Sequence, residues 1–267
     1  MSLQLIIDAA DEFLRDSELN RIDEKKAFKP ELAGMMIYDR VYITAASAGD
    51  AIFDALKAPE ALGDTFMAPR EWLPEAQSVV SAFCRFSAGV RKSNARSDDW
   101  PSPEWLHGRI EGQAFLQGLS ARLIEVVADA GYKGVAPMLD TRLASPGEFL
   151  SNWSERHIAY ACGSGTFGLS KGLITIIGVA GRFASFVTEM ELVPTGRDYE
   201  GLYDYCTNCL ACARKCPAKA ISRETGKDHA KCSAFLDAVR DKHAPYYGCG
   251  KCQTGVPCES GAPGLSK

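Results

Sequence analysis

Eight of the ten cysteines in this chain crowd between Cys206 and Cys258, at gaps that suit metal ligation better than a disulfide framework. Cys206, Cys209, Cys212 and Cys216 are followed by Pro217 in the pattern C-x2-C-x2-C-x3-C-P. Two-residue gaps wrap the backbone around one centre, so that three thiolates reach three irons of a four-iron cube. The fourth cysteine, a turn further on, points away toward a second cube. Pro217 removes a backbone donor and fixes the direction in which the chain leaves.

This is the run found in bacterial ferredoxins, and it leaves each cube incomplete. The second group, Cys232, Cys249, Cys252 and Cys258, supplies the missing ligands, so that eight thiolates serve two [4Fe–4S] clusters with none left over. By analogy with interleaved two-cluster proteins, Cys258 joins Cys206, Cys209 and Cys212 on the first cube. Cys232, Cys249 and Cys252 then join Cys216 on the second. The gap from Cys252 to Cys258 is longer than in ferredoxins, and Gly255 within it is a place for the loop to fold back. Structural zinc is the alternative for C-x2-C pairs, but zinc sites pair two close cysteines with two distant ones, and the triplet does not follow that plan. Cys84 lies in an apolar stretch and reads as core. Cys162 reads as a small buried hydrophobe or as a thiol near a cofactor.

The elements that must carry these ligands are read from periodicity. The chain has 267 residues, is 46% hydrophobic and 24% charged, and has a net charge of -4, the profile of a globular protein without a chain-wide grip on nucleic acid. There is no apolar run long enough for a membrane span and no secretory leader, so a cytoplasmic location is expected. An amphipathic helix opens the chain through Leu14, and residues 17–34 read as a polar connection. Strands are expected over 35–46, 78–86 and 173–179. Helices are expected over 50–57, 109–130 and 152–160, and an exposed loop over 89–103. Strands alternating with helices predict an α/β layered domain over 1–197, followed by an α+β ferredoxin-like two-cluster domain over 198–267.

Gly163, Gly165 and Gly168 satisfy G-x-G-x-x-G, but a helix precedes them and a strand follows, the reverse of a dinucleotide fold. The glycines read instead as a close approach of backbone to a bulky cofactor or to a neighbouring strand. His157 reads as a proton donor or as a structural histidine. Glu155 and Arg156 suggest a salt bridge on one helix. Tyr38, Asp39 and Arg40 read as a solvated strand end. Arg214, Lys215, Lys219, Arg223, Lys227 and Lys231 surround the first cysteine run, where they offset cluster charge or guide an acidic electron donor.

The order Ser154-Glu155-Arg156-His157-Ile158-Ala159, the glycines, Leu173-Ile174-Thr175, Arg182-Phe183, Val187 to Leu192 and then the cysteine run resembles the epoxyqueuosine reductases and the corrinoid reductive dehalogenases. The resemblance covers about residues 70–258. It implies a nitroreductase-like α/β/α core that holds cobalamin, with Gly163, Gly165, Thr166 and Gly168 as the residues facing it. The clusters would feed it electrons from a low-potential donor such as ferredoxin or flavodoxin. His157 and Asp140 become candidate catalytic residues, and a small-molecule or nucleoside-type substrate is implied. Where the family carries an acidic residue six positions before the Glu-Arg pair, this chain has Phe149. Only nine residues follow Cys258, so the helical-repeat region that helps epoxyqueuosine reductases hold tRNA has no counterpart, and tRNA is not an expected partner. The alternative is an electron-transfer or accessory protein without a corrin. A filled core beneath Gly163 to Gly168 would favour it.

Overall fold

The computed structural model describes residues 2–266. Helix α1 (Gln4–Asp16) buries Ile6, Ala9 and Ala10, and two short 3-10 turns then lead into strand β1 (Tyr38–Ser47). Two short helices, α2 (Ala51–Ala55) and α3 (Pro69–Trp72), precede strand β2 (Ser78–Phe86). Helix α4 (Ala88–Ala95), the long helix α5 (Pro103–Asp129), strand β3 (Gly134–Val135) and helix α6 (Glu155–Ala161) follow. Three strands come next: β4 (Gly165–Phe167), β5 (Leu173–Thr175) and β6 (Gly181–Thr188). The cysteine-rich segment holds α7 (Ala211–Arg214), the paired strands β7 (Ile221–Ser222) and β8 (Gly226–Lys227), and α8 (His229–His243).

The central sheet has the order β1-β2-β6-β3, and every pairing in it is antiparallel. Alternation along the strands sends successive side chains to opposite faces. Ile43, Ala45, Val80, Ala82, Cys84 and Phe186 pack beneath α1 and α5 with Phe115, Leu116 and Leu119. On the other face, Ala46, Val79 and Val187 meet Phe53, Trp72, Trp153, Ile158 and Cys162. Helices thus cover both faces of a mixed α/β core. Cys84 and Cys162 are core residues, and the Cys162 thiol donates to the Val79 carbonyl at 3.5 Å.

Several expectations change. The segment 89–103 is not an open loop, because α4 occupies its first half. Ser87 Oγ caps this helix by accepting from Val90 N, and only Val90 and Asn94 of the helix are buried, so its sequence reads as polar. Helix α5 begins six residues earlier than expected, at Pro103, behind a Ser102 cap. The strand expected over 173–179 ends at Thr175 in a turn where Gly178 has φ +106°, and the neighbouring run 181–188 is the strand that completes the core. Tyr38 is no solvated strand end. It is fully buried and stacks on Phe86 at 5.1 Å, while Asp39 pairs with Arg85 and Arg91.

The segment beyond residue 198 locks onto the sheet's helices. Arg91 of α4 reaches Glu259 and Ser260, and the Lys251 ammonium, itself buried, donates to the carbonyls of Asn94 and Ser97. Among the described residues, no helix is long and apolar enough to cross a membrane.

Candidate metal centre and the cavity beside it

The loop that carries Cys206, Cys209 and Cys212 is bent by two non-glycine residues in left-handed backbone, Asn208 (φ 51°) and Leu210 (φ 61°), before α7 begins. The three thiols line one hollow together with Cys258. Cys258 arrives from the far end of the segment, and its carbonyl accepts from Val179 N at 2.9 Å, in the link between β5 and β6. Gly255, in the long gap before it, takes φ +64° and turns the loop back, and its N–H donates to Glu259 Oε2 at 2.6 Å. Arg91 then ties Glu259 to α4.

A second hollow holds Cys216, Cys232, Cys249 and Cys252. Cys216 follows α7, Cys232 lies in the first turns of α8, and Cys249 and Cys252 lie in a glycine-containing loop held from below by α4. The buried Asn94 amide donates to the Cys249 carbonyl at 3.1 Å and to Thr254 Oγ1 at 3.2 Å, and its Oδ1 accepts from Ser102 N at 3.0 Å. Asn94→Ala removes all three bonds. It is expected to cost about 1–3 kcal/mol for each buried group left without a partner. Thermal unfolding under anaerobic conditions measures the loss.

The chemistry of the two donor sets fits iron–sulfur clusters. Burial pushes the Cys212 thiol up to about 11 and the Cys249 and Cys258 thiols up to about 12, with neighbouring thiols adding to the effect. Such thiols keep their protons at neutral pH unless a cationic core replaces them, so metal loading releases protons. No disulfide joins any two of the cysteines. Among the described residues, no three of His, Cys, Asp and Glu converge on a point that would suit a single metal ion.

This second hollow is part of one cavity of about 460 Å³. Its lining joins the second cysteine group and Lys227 to Trp105 and Arg109 of α5, Glu155 and Arg156 of α6, and Arg182 and Phe183 of β6. Arg109 donates to Tyr247 Oη at 2.7 Å. Arg182 donates to the Arg109 carbonyl and to Gln113 Oε1, and Arg156 to the Lys171 carbonyl. None of the three arginines has a carboxylate partner among the described residues. Burial lowers the pKa of Arg109, and its charge, unpaired with any carboxylate, favours an anion in the cavity. Gln253, beside Cys252 in the same lining, has its Oε1 buried without a hydrogen-bond partner. Glu155 is the one carboxylate of the lining. Burial raises it to about 7, against a lowering by the Ser185 hydroxyl and by Arg182. The expected Glu155–Arg156 salt bridge does not form.

The other sequence candidates lie elsewhere. His157 bonds Ser154 Oγ at 2.8 Å and packs on Phe167, outside the cavity lining, and burial with Arg156 lowers it to about 4, leaving it neutral at physiological pH. Asp140 is chelated by Arg142, which lies over the Trp72 ring, and it does not line the cavity either. Gly163 and Gly165 serve a close approach of chain to chain. A Cβ on Gly163 (φ +85°) would stand 2.0 Å from the Gly196 carbonyl oxygen, and one on Gly165 (φ +156°) 1.9 Å from that of Ile174. Thr166 Oγ1 accepts from Tyr205 N at 2.8 Å, and Gly168 borders the first cysteine hollow. The glycine segment therefore lies outside the cavity. Arg109, Arg182 and Tyr247 were not singled out as cavity residues by the sequence, where an arginine on a helix or strand reads as solvated.

Residues 202–222 match the 4Fe-4S binding domain family. No curated protein is similar to the chain in sequence. The fold is similar to those of solved epoxyqueuosine reductases and a reductive dehalogenase. It matches an epoxyqueuosine reductase solved with a tRNA-Tyr epoxyqueuosine-modified stem loop at a TM-score of 0.53 and 16% identity, over 96% of this chain and 64% of that one. It matches the epoxyqueuosine reductase of Streptococcus thermophilus at a TM-score of 0.51 and 17% identity, over 81% of this chain and 61% of that one. The catabolic reductive dehalogenase NpRdhA in complex with 3-bromo-4-hydroxybenzoic acid is similar at a TM-score of 0.51 and 16% identity, over 73% of this chain and 27% of that one. The chain thus spans less than two thirds of the length of each of these structures, and at these identities the likeness is one of fold.

Proposed function

We propose that this chain is an iron–sulfur oxidoreductase that reduces a ligand held in the cavity beside its second cysteine group. The observation that carries this reading is the shared wall: the four thiols of the second group and the three arginines line one space. In this reading Cys206, Cys209, Cys212 and Cys258 hold one [4Fe–4S] cluster and Cys216, Cys232, Cys249 and Cys252 the other. When bound, such clusters supply single electrons at low potential.

The cavity's residues also fit a cobalamin in a nitroreductase-like core, as the resemblance implies. Phe86, Trp105, Leu173 and Phe183 offer apolar surface for a broad ring, and Arg109 and Arg182 offer charge and hydrogen bonds for its polar margin. A bound corrin supplies two-electron reduction of carbon–heteroatom bonds. The chain's part is to orient the ligand, exclude water and hold a proton. The electron source would be an acidic low-potential donor. Arg214 and Arg223, which form no salt bridge among the described residues, stand near the exposed Cys209 edge of the first group, where such a donor would dock.

The packed state of Gly163 and Gly165 is the observation on the side of a corrin-free electron-transfer protein. Anaerobic purification with iron, sulfide and cobalt analysis, before and after addition of hydroxocobalamin, separates the two. Uptake of one corrin per chain beside a full iron complement is the expected result. A full iron complement without corrin uptake selects the electron-transfer reading.

A further inference from the structure

Glu155 stands at the start of α6, inside the fold yet on the cavity wall. Its hydrogen bonds define where its proton can sit. Trp153 Nε1, which can only donate, gives its proton to Ser185 Oγ at 2.8 Å. The Ser185 hydroxyl donates to Glu155 Oε2, at 2.6 Å. Oε2 is thus already engaged as an acceptor, and a proton on Oε1 leaves that bond intact. Among the described residues Oε1 has no hydrogen-bond partner, and it is not among the atoms sealed from solvent. Oε1 is the carboxyl oxygen left available to a cavity ligand.

We infer that Glu155 holds, on Oε1, the proton that a ligand reduced in this cavity takes up. The inference rests on the reductive reading of the same cavity. In the step, two equivalents of an external one-electron donor furnish an electron pair. The Oε1–H bond of Glu155 breaks, and the ligand atom that gains the pair takes the proton. Glu155 is left as a carboxylate near Arg182, and a proton from water restores the acid. Burial supports the assignment by raising Glu155 to about 7, where acid and base forms are both populated at physiological pH. The charged groups that share the cavity are Arg182 on β6, Arg109 on α5, Arg156 on α6, Lys227 on β8 and Lys251 in the cysteine loop, together with the second cysteine group. Their positive charge favours the carboxylate once the proton has left.

The test is an infrared pH titration of the anaerobically purified holoprotein, with iron and sulfide counted in every sample. Wild type is expected to show a protonated-carboxyl band titrating near pH 7, and Glu155→Gln to lack it at unchanged iron content. Ser185→Ala removes a hydrogen bond to the carboxylate form and is expected to move the midpoint upward. A titrating band retained in Glu155→Gln, or a midpoint unmoved by Ser185→Ala, overturns the inference. Preparations without iron in which the band still titrates and still responds to Ser185→Ala overturn the iron–sulfur reading and leave the acid assigned.

Discussion

Replacing Cys258 by serine is expected to halve the iron bound to the anaerobically purified protein, from about eight to about four per chain, with the second cluster intact. Cys258 is the one thiol of the first hollow that does not come from the C-x2-C-x2-C run. Its loop is fixed by Val179 N and by the Arg91–Glu259 pair, so neighbouring cysteines are not free to slide into its place. The second group shares no thiol with the first, and its loop hangs from Asn94 and Lys251 instead. Iron and sulfide analysis with low-temperature electron paramagnetic resonance of the reduced protein reads both clusters separately. Loss of the second cluster, or retention of both, would refute the division of ligands.

Gly250→Ala is expected to be the most damaging single methyl in the cysteine segment. Gly250 has φ +65°, and a Cβ there would stand 1.9 Å from Cζ2 of the Trp105 ring. Left-handed backbone costs a non-glycine residue roughly 1–2 kcal/mol, and overpacking adds about 1–3 kcal/mol. The ring cannot withdraw cheaply, because Trp105 is 4% exposed and packs on Phe86 at 4.7 Å. The added group would displace the loop between Cys249 and Cys252, so a lower unfolding midpoint should come with loss of the second cluster. Gly34→Ala is the control. It has φ +74° with nothing within 4 Å of the added Cβ, so only the backbone cost of roughly 1–2 kcal/mol applies. Thermal unfolding and iron content of the two variants, compared side by side, distinguish the crowding from the backbone cost.

The sequence made the thiols legible because their chemistry is local: a two-residue gap means the same thing in any fold. It also disclosed the apolar stripe of α5 and the buried run of β2. It disclosed much less where one residue's role depends on a distant partner. Helix α4 was hidden because its inner face is Val90 and Asn94, and an asparagine that hangs a loop from a helix reads as surface. The cavity was hidden for a related reason. Arg109 and Arg182 are 73 residues apart and meet only because α5 crosses β6. Glu155 and Arg156, neighbours in sequence, suggested a pair, whereas Glu155 bonds Ser185 on β6 and Arg156 bonds the Lys171 carbonyl. Glycines 163 and 165 drew attention as a ligand loop, yet the close approach they permit is to the chain itself.

Each hollow draws thiols from both ends of the cysteine segment, the first from Cys206 to Cys212 and from Cys258, the second from Cys216 and from Cys232 to Cys252. During synthesis the early triplet leaves the ribosome well before its fourth partner, and the second set is still short of two thiols when α8 has been made. Under the proposed division of ligands, neither set of thiols is complete until the whole segment has been made. A chain ended before Cys249 should accept neither cube from an assembly scaffold, a result that in vitro reconstitution of the shortened chain would check.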